Sequence, residues 1–210
     1  MMPSSTAIRE RGVVLAMVLL WLVLGTLLGV SMVTTALQEQ KAARNYRDRA
    51  IALQAAEAGL VDARSDIEAP PSYAGARGVI FAPDRSEGFP TPDQPICQQG
   101  EGNRFQGLCR TLPGNKLPVL LSNEFRSNLL TASSHFVEYG SFTGRHLQTA
   151  AGSLPARLPR YAIELLPDQG RDAGSNATAA RFIYRITAIG FGPHVDTQVV
   201  LQSFYRKGVR

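Results

Sequence analysis

Residues 13–33 read VVLAMVLLWLVLGTLLGVSMV, and the run without a charged residue extends to Leu37. A helix needs about 20 apolar residues to cross the hydrocarbon core of a bilayer. This stretch has that length, and only Gly, Thr and Ser interrupt it. We therefore expect residues 13–37 to form a transmembrane helix, with the membrane as a partner of the chain.

The residues before this helix predict its orientation. Arg9 and Arg11 precede it with one acidic neighbour, Glu10. Positive residues favour the cytoplasmic side, so we expect a cytoplasmic N-terminus and a single pass, with the remainder outside. A secretory signal peptide has a shorter apolar region, about 7–15 residues, followed by a small-x-small cleavage site, which this sequence lacks.

The chain after Leu37 predicts a continuation of the same helix as an amphipathic extension over residues 38–69. Good helix formers follow the apolar run, and Pro70 with Pro71 ends the helix. The whole helix would have about 55 residues and a length of roughly 80 Å. Its apolar positions step by three or four, the period of one helical face, with Asp48, Arg49, Asp62 and Arg64 predicted to flank that face. These positions are Tyr46, Ala50, Leu53, Ala56, Leu60, Ala63 and Ile67.

The C-terminal part has the alternation of β-strands. We predict strands at residues 160–166, 181–189 and 195–206, with a hairpin turn at 190–194. The expected fold is α+β: a long N-terminal helix packed on a C-terminal antiparallel sheet at residues 159–210. Residues 70–158 are predicted to be a loop-rich variable region.

Cys97 and Cys109 are the only cysteines. Outside the cytoplasm they are expected to form a disulfide that closes a loop of about a dozen residues and contributes roughly 2–4 kcal/mol. Two unpaired buried thiols are the alternative.

Catalytic and metal-binding patterns are absent from the sequence. His135, His146 and His194 are far apart, and no HExxH motif, Cys/His cluster or nucleophile elbow accompanies them. The oxygen-bearing residues Asp168, Asp172, Ser175 and Asn176 share one loop, but their spacing fits no EF-hand. We expect no enzyme activity, no cofactor and no metal.

The net charge of +5 comes from arginines scattered along the chain without a Lys/Arg block. A nucleic-acid surface usually clusters its basic residues on one face. We therefore expect no nucleic acid as a partner. Because no catalytic or binding motif is present, we also expect no small-molecule substrate.

A short charged leader, residues 1–12, ends in Gly12 directly before the hydrophobic helix and resembles that of a type IV prepilin. The resemblance implies that prepilin peptidase cleaves between Gly12 and Val13 and methylates the new N-terminus at Val13, where Phe is usual. It also implies a glutamate at the fifth mature position, but Met17 stands there. That absence argues against a major subunit.

Two regions resemble PilX-type minor pilins more narrowly, and members of this group also lack the glutamate. The N-terminal matches are RGVVL at 11–15, NYRDRA at 45–50 and LQAAEAGL at 53–60. The C-terminal matches are YRITAIG at 184–190, QVVLQS at 198–203 and YR at 205–206. The resemblance implies the pilin arrangement of a long helix and an α+β head.

Gly25 and Gly29 form a GxxxG pair within the transmembrane segment. Such a pair lets neighbouring helices approach closely, so it predicts a packing site, although glycine is also common in membrane helices.

The resemblance implies a minor pilin that primes type IV pilus assembly and supports twitching motility and adhesion. Its expected partners are other minor and major pilins, prepilin peptidase and the pilus assembly platform. The chain would lie in the inner membrane with a periplasmic head before it enters the pilus on the cell surface. The alternatives are a pseudopilin of a type II secretion system and a membrane-anchored periplasmic adhesin or binding module.

Overall fold

The computed structural model describes residues 7–70, 75, 77–82, 84–100, 102–111, 123–126, 135–150, 152–168 and 182–208. The chain divides into two compact units, Met1–Arg47 and Asp48–Arg210. The described part of the first unit is entirely helical, and the second contains the end of that helix and a sheet.

Helix α1 spans Ala7–Glu68, which makes 62 residues. The sequence analysis placed its start at Val13, but the structure begins it six residues earlier, inside the predicted leader. The reason is local, because the residues from Ala7 to Arg11 are mostly good helix formers and include neither Pro nor Gly. The helix ends one residue before the predicted Ala69, as expected for a residue that precedes proline.

The remaining elements form one sheet and a single short helix in the described residues. The strands pair in the order β1-β3-β4-β5, and β2 also pairs with β3. Only the β1–β3 pairing is parallel; the other three are antiparallel. The α+β fold predicted from the sequence is therefore confirmed. The elements are β1 (Leu108–Arg110), α2 (Asn123–Arg126), β2 (Val137–Glu138), β3 (Arg160–Pro167), β4 (Phe182–Phe191) and β5 (Gln198–Tyr205).

The predicted hairpin turn is displaced towards the C-terminus. Strand β4 continues through Phe191, and β5 begins at Gln198, so Val195 lies in the turn and not in a strand. The turn closes where the Gly192 N–H donates to Thr197 O at 2.7 Å. The predicted strands in the C-terminal part are otherwise found within two or three residues of their expected limits.

Strands β1 and β2 lie in the region that was expected to be loop-rich. Each has three residues or fewer, which is too short for alternation to predict it from sequence. Both pair with β3 and so enlarge the sheet.

The sheet has an apolar core on each face. One core lies against α1 and includes Ala63, Ile67, Tyr161, Ile163 and Tyr184. The other lies on the opposite face and is formed by Cys97, Cys109, Phe125, Phe136, Ala162, Ile189 and Phe191.

The buried face of α1 has the predicted period but only some of the predicted members. Ala56, Ala63 and Ile67 are buried as expected, whereas Leu53 is 39% exposed and Tyr46 is 79% exposed. Apart from Ile67, the buried positions of this face carry small side chains or acids, so a search for bulky apolar residues misplaces the face. They are Ala52, Ala55, Ala56, Gly59, Asp62, Ala63, Asp66 and Ile67.

Candidate assembly site

The first unit presents an apolar helix surface that nothing in the described chain covers. Residues from Val13 to Leu37 are exposed, including Met17 at 63% and Trp21 at 69%. The helix is long and apolar enough to cross a membrane, by length and composition. An exposed apolar surface of this size needs a lipid or protein environment.

The threonine hydroxyl groups within this segment are satisfied by the helix itself. Thr26 donates to Val23 O at 2.8 Å, and Thr34 donates to Ser31 O at 2.8 Å. Polar groups must be satisfied internally in an apolar surrounding. Threonine therefore does not conflict with a buried position in lipid or in a helix bundle.

Gly25 and Gly29 lie open on this helix. A Cβ built at either position meets no described atom within 4 Å beyond its own stretch of helix. Within the described residues the glycines therefore pack against no other part of the chain, and their expected role in contacts between helices stays a prediction. Gly12 and Val13 lie on the continuous helix α1, and Met17 is exposed without a carboxylate at that position.

In the second unit, α1 approaches strand β4 so closely that one position excludes any side chain. A Cβ at Gly190 would lie 2.2 Å from both Ala52 O and Ala56 N. On the helix side, a Cβ at Gly59 would lie 3.3 Å from the Cβ atoms of Ala188 and Pro159. Contact at this distance fixes the helix on the sheet through backbone packing.

A buried ion pair follows at the C-terminal end of α1. Asp66 and Arg77 are both fully buried, and Arg77 Nη2 lies 2.5 Å from Asp66 Oδ2. The Arg77 Nε also donates to this carboxylate, at 2.8 and 2.9 Å. Tyr161 on β3 donates its hydroxyl to Asp66 at 3.0 Å, so the carboxylate joins the helix to the sheet.

Arg77 carries this network into the loops. Its Nη1 donates to Gln106 O at 2.6 Å and to Arg104 O at 3.3 Å. The guanidinium also lies 3.9 Å from the ring centroid of Phe142. A buried charge is tolerated only when it is paired and hydrogen-bonded, and Arg77 meets both conditions. Burial and the neighbouring Asp66 carboxylate raise the pKa of Tyr161 well above its ordinary value, so its hydroxyl keeps the donated proton.

Asp62, one turn earlier on α1, is buried against a second loop. The sequence analysis placed Asp62 beside the buried face, and the structure corrects this, since the residue has no exposed surface. Its carboxylate accepts hydrogen bonds from the Gly140 N–H at 2.8 Å and from the Thr143 hydroxyl. Burial raises the pKa of this carboxyl, although both hydrogen bonds act in the opposite direction.

Sequence reasoning missed this pair of acids because a charged residue is normally read as exposed. The sequence did contain a signal for their burial. Asp62 and Asp66 are four residues apart, so they lie on one side of the helix, and each directly precedes a buried position of the same face, Ala63 or Ile67. Arg77, the partner of Asp66, is the first basic residue after the helix.

Cys97 and Cys109 form the disulfide predicted from the sequence. Both residues are buried in the core on the face opposite α1. The bond joins β1 to the preceding segment, where the Gln98 N–H donates to Leu108 O and the Arg110 N–H donates to Ile96 O. The closed loop between the cysteines contains the two carbonyl groups that accept from Arg77.

A second ion pair crosses the sheet on the face opposite α1. Glu164 on β3 faces Arg185 on β4 in the register, and Arg185 Nε lies 2.6 Å from Glu164 Oε2. Both are buried, and burial raises the pKa of Glu164 while the hydrogen bond to Arg185 lowers it.

The C-terminal segment closes the end of α1. Lys207 Nζ donates to Ile67 O at 2.7 Å and to Gly78 O at 2.6 Å. A cation that binds the last carbonyl groups of a helix stabilises its C-terminus. Lys207 thus caps the C-terminus of α1, although it follows Ile67 by 140 residues in the sequence.

The remaining residues considered for chemistry are not brought together. No group of three or more possible metal ligands occurs among the described residues. Asp168 pairs with Arg206 at 2.7 Å, while Asp172, Ser175 and Asn176 lie outside the described residues. The described part of the chain thus contains buried structural networks and an exposed apolar helix.

Comparison with protein families agrees with this architecture. The model described as type IV pilus assembly protein PilX C-term matches residues 93–207, more than half of the chain, and the PilX N-terminal model matches residues 11–61. The chain belongs to the PilX family. The resemblance seen in the sequence is therefore confirmed. No curated protein and no solved structure matches the chain.

Membership of the PilX family connects the chain with type IV pilus assembly and implies interaction with other pilins. Members of this family are structural components of the pilus. The apolar N-terminal helix and the family membership together suggest that the chain is anchored in a membrane.

Proposed function

We propose that this PilX-family chain is a minor pilin that joins a priming complex for type IV pilus assembly and enters the filament near its tip. The observation that carries the proposal is the single helix α1. Its residues 13–37 are apolar and exposed, while buried positions among its residues 52–67 contribute to the core of the head. One helix thus has an N-terminal part suited to lipid or to a bundle of helices and a C-terminal part that packs within the head.

Maturation in this proposal begins at the leader. Prepilin peptidase cleaves between Gly12 and Val13 and methylates Val13, with the N-terminus in the cytoplasm and the head in the periplasm. The pilus assembly platform then extracts the subunit from the inner membrane. Contacts with the helices of other minor and major pilins compensate for leaving lipid, since the helix surface stays in an apolar surrounding.

Met17 supports a minor role within this scheme. A carboxylate buried in an apolar bundle is costly unless a cation neutralises it. Met17 leaves this helix without such a carboxylate, so it does not attract the amine of a neighbouring subunit. The chain is therefore suited to a position at the start of a filament, from which twitching motility and adhesion follow indirectly.

Mass spectrometry of the chain co-produced with prepilin peptidase tests the first step. We expect a methylated N-terminus at Val13, and Gly12→Leu should leave the leader attached. An intact leader on the unaltered chain would reject the proposal. Deletion of the gene should then abolish surface pili, with the protein present in sheared filaments of the unaltered strain. Normal piliation together with failed protein secretion would indicate a pseudopilin instead.

A further inference from the structure

Strand β5 has an open edge. It is last in the strand order, with β4 as its neighbour. Within the described ranges, no backbone hydrogen bond joins the outer edge of β5 to another segment. The Phe204 side chain is 60% exposed on this strand, and Gln202 on the same face is exposed as well. The edge therefore combines unused backbone groups with uncovered apolar surface.

The register identifies the backbone groups at this edge. The Gly192 N–H donates to Thr197 O, which marks a hydrogen-bonded pair at the start of the ladder. In an antiparallel ladder such pairs alternate with pairs whose groups point away from each other, so residues 199, 201, 203 and 205 bond to β4. The N–H and C=O groups of residues 198, 200, 202 and 204 point outwards and are available to a further strand.

This edge lacks the features that normally prevent strand addition. Proteins protect open edges with Lys, Pro, inward-pointing charges or bulges. Strand β5 reads QVVLQSFY, without a charged residue or proline, and its register with β4 is continuous over all eight residues. The edge is therefore competent to accept another strand.

The opposite edge of the sheet is protected. There one isolated bridge, between Cys97 and Cys109, joins the preceding segment to β1. Pro95 in that segment has no N–H, and the Gln99 carbonyl accepts from the Asn103 side chain at 3.0 Å. Prolines and very short strands are features that prevent strand addition. A second copy of the chain is therefore poorly suited to offer this edge to β5.

The direction of α1 argues against a second copy that uses β5 itself. Two identical edges that pair in antiparallel fashion are related by a two-fold axis perpendicular to the sheet, which reverses the α1 helices packed on it. In the proposed filament every subunit begins with its N-terminus in the cytoplasm, so neighbouring α1 helices run in the same direction. The partner at the β5 edge should therefore be a different chain.

We propose that β5 pairs with an edge strand in the head of another pilin, so that one sheet extends across two subunits. The proposal rests on the proposed function, and PilX-family membership implies interaction with other pilins. Main-chain hydrogen bonds to the outward groups of β5 supply affinity. The exposed Phe204 ring defines the chemistry of the partner, which places an aromatic or β-branched side chain across from it, since such pairs stabilise neighbouring strands.

Photocrosslinking in the membrane of intact cells tests this contact before the chain enters a filament. The full-length chain carries p-benzoylphenylalanine in place of Phe204, and each co-produced minor or major pilin carries a different tag. We expect irradiation to join the chain to one tagged pilin. The same photoreactive residue in place of Gln99, which is exposed beside the protected edge, is the control and should not give this product.

Substitutions at Gln202 show whether the contact is strand addition. The Gln202 N–H points outwards, so Gln202→Pro removes no bond to β4 but prevents a partner strand from pairing. Gln202→Lys places a charge on the edge. Each should lower the crosslinked fraction by about tenfold, because interchain hydrogen bonds are lost or strained. Gln202→Thr should keep the product, although all three variants lose the side-chain bond to Thr187.

The urea midpoint shows whether each variant keeps a folded head, and Gln202→Lys carries the test if Gln202→Pro does not fold. The proposal is overturned if the residue at position 204 joins no pilin while the chain is cleaved before Val13 and enters pili, since the proposed function then holds without this contact. A dimer of this chain, the same product from position 99, or equal crosslinking of the three Gln202 variants would overturn it as well. A leader that stays attached is a separate result, which rejects the proposed function and this partner with it.

Discussion

Arg77 and Asp66 form an ion pair in which neither side chain has any exposed surface, with Nη2 and Oδ2 2.5 Å apart. The pair holds the last turn of α1 to the loops that cover it. A buried pair contributes little compared with an apolar replacement of the same volume, but loss of one partner leaves an uncompensated charge. A single substitution in this ion pair should therefore weaken the attachment of the C-terminal end of α1 to the rest of the head.

Arg77→Met should lower the free energy of unfolding of the head by about 3–5 kcal/mol, because the Asp66 carboxylate stays buried without its cation. Arg77→Met with Asp66→Leu should lose less than Arg77→Met alone. Arg206→Met is the matched control, since it removes an exposed pair with an expected effect of at most about 1 kcal/mol. Urea denaturation of the full-length protein in micelles, followed by pulse proteolysis, measures all three. Equal losses for Arg77→Met and Arg206→Met would contradict the assignment.

The sequence predicted the elements of the fold more completely than the contacts between them. The apolar run, the helical period and the strand alternation are local patterns, and they predicted α1, β3, β4 and β5. Asp62 was placed beside the buried face because its partners are remote in sequence: Gly140 follows Asp62 by 78 residues, and Thr143 follows it by 81. No periodicity reports a partner at such a distance.

The pH dependence of Asp62 is expected to be opposite to that of an ordinary surface ion pair. Burial raises the pKa of its carboxyl above 3.8 in the folded chain, with Asp66 adding to the effect and Arg145 opposing it. The folded state then holds the proton more tightly than the unfolded state. The ionised carboxylate costs stability above the folded pKa, and that cost disappears as the pH falls towards 3.8.

Comparison with Asp62→Asn isolates this contribution, because other raised carboxyls, such as Glu164, are common to both proteins. The unaltered chain should gain stability relative to Asp62→Asn when the pH is lowered from 7 to about 4. Urea denaturation at both pH values measures the difference. A constant difference, or one of opposite sign, would contradict the raised pKa.

Gly190→Ala should destabilise the head by at least about 2 kcal/mol, because backbone atoms of α1 occupy the space of the new methyl group. The obstructing atoms are Ala52 O and Ala56 N, each 2.2 Å from the built Cβ. Gly208→Ala is the matched control, since a Cβ there meets no atom within 4 Å. The difference in urea midpoint between the two variants is the measurement, and similar midpoints would show that the helix can shift away from β4.

The disulfide should be coupled energetically to Arg77, because the loop that it closes carries Arg104 O and Gln106 O. We expect Cys97→Ser with Cys109→Ser to destabilise the head by about 2–4 kcal/mol. Combined with Arg77→Met, the losses should be less than additive by about 0.5–3 kcal/mol. Hydrogen exchange of β3 peptides measures the stability of four proteins: the unaltered chain, the variant without the disulfide, Arg77→Met and their combination. The departure of their losses from additivity is the coupling free energy. Strict additivity would mean that the loop keeps its position without the bond.

Gly25→Leu and Gly29→Leu separate folding from assembly. A Cβ at either position meets no described atom beyond its own stretch of helix, so the urea midpoint of the head should not change. If the pair allows close contact between helices, as GxxxG motifs do, both variants should reduce the amount of the protein in sheared pili. Ala36→Leu is the control, because it places the same leucine side chain at an exposed position of the apolar segment outside the motif. Immunoblots of sheared and membrane fractions measure the ratio. Equal incorporation of all three variants would assign the glycines no packing role, whereas loss of all three would mean that the whole helix surface is packed.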